Sequence, residues 1–107
     1  MTVRGARHEG VVWTDRWNKV EAEREIRERF PHLLARKTNY TPGVTLEGRA
    51  YLSGVQYVIT STPLDNTWNS PRRYVVWKCD DQAVSFGEFS KLSEACLFLQ
   101  RHLQGAL

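Results

Sequence analysis

Apolar positions recur along this chain with two periods, and the change from one to the other marks its elements. Between Val55 and Thr60, Val55, Tyr57 and Ile59 alternate with Gln56 and Thr60, which predicts a strand, with Val58 the exception on its outer face. A second alternation runs from Arg72 through Gly87. With Asp80 and Asp81 as the tip of a two-residue hairpin, Cys79 faces Gln82, Trp77 faces Val84 and Val75 faces Phe86. That register puts Val75, Trp77, Cys79, Val84 and Phe86 on an apolar face. Tyr74, Val76, Lys78, Ala83, Ser85 and Gly87 fall on a mixed one. The period then becomes helical: Leu92, Ala95, Cys96, Leu99 and Leu103 form one stripe, expected to lie on the apolar sheet face with both cysteines in one core.

The first half of the chain is less regular. Met1–Glu9 has no periodicity and is expected to be a flexible arm. Gly10–Trp13 suits a short strand, and Thr14 or Asp15 an N-cap. Asp15–Phe30 lacks Gly and Pro and reads as a charged helix, laced by Glu23–Arg27 and Glu25–Arg29 pairs at i, i+4. Its apolar residues diverge, Trp17 and Val20 one way, Ala22, Ile26 and Phe30 another, so the helix is either clasped from two sides or leaves a patch for a partner. Pro31 ends or kinks it, with His32–Lys37 a possible second turn. Thr38–Gly48 reads as a loop around Pro42-Gly43 with an extended piece at Val44–Leu46; Arg49–Leu52 as a strand; Gly54 as a turn or bulge.

These elements predict one α+β domain over residues 1–107: an antiparallel sheet of three to four strands, the C-terminal amphipathic helix on one face, and the charged N-terminal helix against the edge or the other face. There Ile26 and Phe30 would cover Tyr74, Val76 and Lys78, with Gln56, Val58 and Thr60. At 107 residues, 41% hydrophobic and 25% charged, the chain can bury a core of its own.

Charge narrows the function classes only slightly. The net charge is +3, and all of the excess lies before Thr38. This is weaker than the concentrated basic face of a nucleic-acid binder. The first fifteen residues have no apolar stretch of the secretory kind, and no run is long enough to span a membrane, so a cytoplasmic protein without a membrane partner is expected. Cys79 and Cys96 are expected as reduced core thiols.

No CxxC, HExxH, glycine-rich phosphate loop or GxSxG pattern occurs, and His8, His32 and His102 have no partners at motif spacing; His102 suits the end of a helix. The expectation is therefore a non-enzymatic protein with no cofactor, no metal site and no catalytic residue. The chemistry that stands out is in Ser61–Arg73, a loop too long for an ordinary hairpin turn. There Trp68 is flanked by Asn66 and Asn69 and followed by Arg72 and Arg73, an aromatic surface with amides and cations of the kind found at interface hot spots and on single-stranded nucleic acid. Trp68 is either such a contact or a lid on the core. Arg73 shares a face with Val75 and Trp77, and Arg72 is expected to be the freer arginine. Trp17 and Arg24 add a possible contact surface on the first helix.

Size, ordinary core and lack of a catalytic set resemble, as a class and through no motif, the small inhibitors that phages and mobile elements direct at host nucleases. The leading expectation is thus a protein-binding module that occludes or scaffolds a larger partner. The alternative is nucleic-acid binding through Arg4, Arg7, Arg72, Arg73 and Trp68, and a third reading is a hydrolase with a dispersed carboxylate site. Oligomeric state is not readable from the sequence.

Overall fold

A computed structural model of the chain describes the backbone of residues 7–8, 11–12 and 16–105, and the side chains of residues 20–105. Its elements run β1 (Arg7–His8), β2 (Val11–Val12), α1 (Arg16–Arg29), β3 (Thr45–Leu52), β4 (Val55–Pro63), β5 (Arg72–Cys79), β6 (Ala83–Phe89) and α2 (Leu92–Gly105). The strands form one antiparallel meander in chain order, four long strands with the two-residue β1 and β2 added beside β3. The fold is α+β, with α1 on one face of the sheet and α2 on the other. Within the expected arm, Arg7 and His8 pair with Val12 and Val11; the rest of that segment, and the expected N-cap at Thr14 or Asp15, lie outside the described residues.

The helices meet the β4 faces expected of them and exchange those of β5. Beneath α2, whose Ala95, Leu99 and Leu103 are fully buried, lie Ala50, Tyr57, Ile59 and Val76, bordered by Tyr74, Phe86 and Phe89. Beneath α1, Ala22, Ile26 and Phe30 pack with Leu46, Val58 and Cys79, bordered by Trp77. Two registers cause the exchange. Pro63 pairs with Arg72 across the β4–β5 connection, so Tyr57 meets Lys78 and Ile59 meets Val76, and the even-numbered β5 residues join the odd-numbered β4 residues.

At the next turn Cys79 pairs with Ala83, so the β5–β6 loop takes three residues instead of two, closed by the Asp80 amide donating to the Gln82 carbonyl at 3.1 Å. A bulge between Ser85 and Gly87 then shifts the register by one residue, so that Gly87 meets Val76 and Phe89 meets Tyr74 on the α2 side, where Phe86 also lies. Gly87 leaves room there for α2: a Cβ on it would lie 2.8 Å from the Phe98 ring. Cys79 and Cys96 consequently lie on opposite faces of the sheet and not in one core.

The α1 face is bound by polar links as well as packing. The expected i, i+4 ion pairs do not form. Glu23 instead accepts from the Leu46 amide at 3.0 Å, where β3 bulges at Glu47, and Glu25 pairs with Arg49 at 2.9 Å. Both carboxylates thus serve the sheet. Arg29 reaches the Asp80 carbonyl at 3.5 Å and lies over the Phe30 ring. On the same face the Trp77 indole donates to Thr60 Oγ1 at 2.9 Å, satisfying a hydroxyl that would otherwise be buried without a partner.

Pro31 ends α1; only a turn follows at 31–33, and the strap from Leu34 to Val44 is irregular, so the second helical turn expected from His32–Lys37 is absent. Buried Leu33 and Leu34 tie this strap to the α1 core. Ser53 and Gly54 turn β3 into β4 with φ of 53° and 79°, the two positive values that a tight hairpin of matching twist requires.

Candidate functional site

The end of the sheet where Thr45 pairs with Ser61 and Pro63 with Arg72 carries two braced turns. In the first, Thr38 Oγ1 accepts from the Tyr40 and Thr41 amides at 3.1 and 3.0 Å, and the Thr38 amide donates to the Thr41 carbonyl at 2.9 Å. In the second, residues 64–71 extend the β4–β5 hairpin. The Leu64 amide donates to the Pro71 carbonyl at 2.9 Å, and Asp65 Oδ1 accepts from the Thr67 amide and hydroxyl at 2.9 and 2.6 Å. Those two bonds, the hydroxyl's first, hold the Asp65 carboxyl below its ordinary value of 3.8.

Arg72 joins the two turns at their bases. Its Nη2 donates to the Ser61 carbonyl at 2.7 Å and to the Gly43 carbonyl at 2.9 Å, and its Nε donates to Ser61 Oγ. The expectation that Arg72 is the freer arginine is therefore corrected: Nε and Nη2 of its guanidinium are engaged within the fold. Arg73 is the exposed one, on the face of Val75 and Trp77 as expected, and paired with Glu88 at 3.5 Å.

This end displays three large apolar side chains among polar turn residues. Trp68 is 55% exposed, Leu64 57% and Tyr40 83%, so the indole does not act as a lid on the core. Asn66 and Asn69 are exposed beside Trp68. A hollow of about 240 Å³ opens at the base of the hairpin, lined by Leu64, Arg72, Arg73, Glu88, Phe89 and Ser90. The hairpin thus gathers Asn66, Trp68, Asn69, Arg72 and Arg73 from the candidate residues. Arg24 lies elsewhere, exposed on α1 beside a separate cleft, and the Trp17 backbone belongs to α1 while its side chain is outside the described residues. Leu64 and Tyr40 escaped the sequence reading. The signal available for them was a large apolar residue inside a turn-forming segment, Pro63-Leu64-Asp65 and Asn39-Tyr40-Thr41-Pro42.

Burial raises the thiols of Cys79 and Cys96 to about 11, Arg29 partly opposing the rise at Cys79, so at neutral pH neither is a ready nucleophile. Among the described residues no three His, Cys, Asp or Glu side chains are grouped to hold a metal ion, and no helix is long and apolar enough to cross a membrane. Comparison of the chain with protein-family models, with curated proteins and with solved structures finds no significant match in any of the three.

Proposed function

We propose that the protein is a binding module that engages a larger protein through the hairpin end of its sheet, with Trp68 and Leu64 as anchors, Tyr40 on the turn that Arg72 joins to theirs, and Asn66, Asn69 and Arg73 at the rim. The observation that carries this reading is three large apolar side chains exposed on two turns joined by one arginine. Full burial of a side chain of this size is worth about 1.5–3 kcal/mol, and covering the half of Trp68 and Leu64 that is exposed supplies the corresponding share. Because hydrogen bonds within the chain already fix both turns, little ordering entropy opposes the gain.

At the hairpin end the engagement of both arginines favours a protein over a nucleic acid. Phosphate recognition would draw on Arg72 and Arg73, but Arg72 is engaged with Ser61 and Gly43, and Arg73 with Glu88. Such a module acts by covering or scaffolding its partner and needs no catalytic group.

The reading is tested by quantitative capture from cell lysate with the immobilised full chain and its Leu64→Ala/Trp68→Ala variant. Specific proteins held by the wild type should fall at least about tenfold in the variant, the equivalent of 1.4 kcal/mol. Equal capture by both proteins removes the hairpin end as the site. If nucleic acid is what co-purifies, and it dissociates steeply with added salt, the protein-partner reading gives way to the alternative.

A further inference from the structure

A cleft of about 640 Å³ separates α1 from the turn and strap that follow it. It shares no lining residue with the hollow beside the hairpin. The buried side chain of Leu34 forms part of its wall, and Val20, Pro31 and Ala35 continue the apolar lining. Arg24, Arg27 and Arg36 also line it, and among the described residues none of the three has an ion pair.

The reason lies in how α1 spends its carboxylates. On an isolated helix Glu23 would pair with Arg27 at i, i+4. Here Glu23 is turned to the Leu46 amide and Glu25 to Arg49, so the acids brace the sheet and the arginines are left to the cleft. Arg27 Nε is moreover a buried side-chain nitrogen with no hydrogen-bond partner, a state that native folds avoid unless a ligand or function supplies one. Glu23 and Glu28 also line the cleft, so three arginines face two acids, a balance that would repel a continuous run of phosphates more than a short, spaced set of carboxylates.

We propose that this cleft binds an acidic segment of a partner protein, its carboxylates accepting hydrogen bonds from Arg24, Arg27 and Arg36 while an apolar side chain rests on Val20, Pro31 and Ala35. Arg27 is the central ligand because it lines the cleft and its guanidinium Nε–H has no partner within the chain. Arg24 and Arg36 are exposed and supply attraction at the rim.

The test is an NMR titration of the isotope-labelled full chain with a blocked synthetic peptide made of repeats of Glu-Leu-Asp-Glu. The result expected is saturable shifts of the Arg27 Nε–H signal and of the Ala35 and Arg36 amides. Affinity should be at least about tenfold weaker in Arg24→Glu/Arg36→Glu, two exposed positions whose change leaves the remaining spectrum in place. Trp68→Ala should bind the peptide as the wild type does, which separates this site from the hairpin reading. The proposal is overturned if the peptide at millimolar concentration leaves the cleft signals unmoved, or if the Gln/Asn analogue binds equally well. It is also overturned if charge reversal has no effect, or if oligothymidylate or inorganic phosphate alone reproduces the shifts.

Discussion

The two faces of the sheet are held by different physics. Under α2 the buried layer is apolar, and aromatic rings close its border: Phe98 lies against Phe86 and Phe89 at 5.5 and 5.1 Å between centroids, and Tyr57 against Phe86 at 6.0 Å. Under α1 a second apolar cluster is fastened by directed bonds, Glu23 to Leu46, Glu25 to Arg49 and Trp77 to Thr60. The first face stabilises through area and packing, which demand little of any single polar group. The second depends on individual side chains, and using them for the fold leaves their neighbours unsatisfied. Arg24, Arg27 and Arg36 accordingly have no ion pair among the described residues.

The comparison breaks most visibly where packing alone is at stake. Leu99→Ala deletes a fully buried side chain from the α2 layer and should cost about 2–5 kcal/mol in denaturant unfolding. A loss below about 1 kcal/mol would mean that α2 is not seated as described. Next comes Arg72→Ala, which leaves Ser61 and the Gly43 carbonyl without their charged donor and should cost about 2–3 kcal/mol. An unchanged midpoint would return Arg72 to the pool of free contact residues. Glu23→Ala, which orphans the Leu46 amide, should cost about 1–2 kcal/mol, whereas Arg24→Ala, one residue along the helix, should be near neutral. Equal losses at the two positions would show that α1 is held by helix propensity and not by its link to β3.

The smallest effect concerns the thiols. Because Cys79 and Cys96 lie on opposite faces, mild oxidation of the native protein should form no bond between them, as read by non-reducing peptide mapping; an intramolecular disulfide would contradict the placement of the helices. Each thiol is raised from 9.0 to about 11, so the neutral form is favoured on folding. The stability this contributes is full below pH 9 and is lost as pH rises through 11, where the unfolded chain alone would otherwise have ionised first. Urea titrations should therefore show midpoints falling over that interval, and a flat profile would mean that the thiols meet water.

Much of the architecture was legible because it rests on local pattern. The 3.6-residue stripe of α2, the alternation of β4, the breaks at Gly54 and Pro31 and the existence of a charged first helix all depend on residues close in sequence. What was not legible depends on parity. One more residue in the Asp80–Gln82 turn and the even-numbered pairing across the 64–71 connection reverse which β5 side chains meet α2, and neither composition nor periodicity fixes that count. The candidate site divides in the same way. Trp68 was visible as an aromatic residue in a long polar loop, but the capture of Arg72 by Gly43, and of Glu23 by Leu46, are bonds between distant segments that no spacing rule announces.

The central claim, that the hairpin end is the working surface, is tested most directly by amide hydrogen exchange of the full chain with and without its captured partner. The account predicts slowed exchange in residues 38–43 and 64–73, with the amides of α2 unchanged. Protection confined to α2, or to the outer edge along β6, with none at the hairpin end would contradict it.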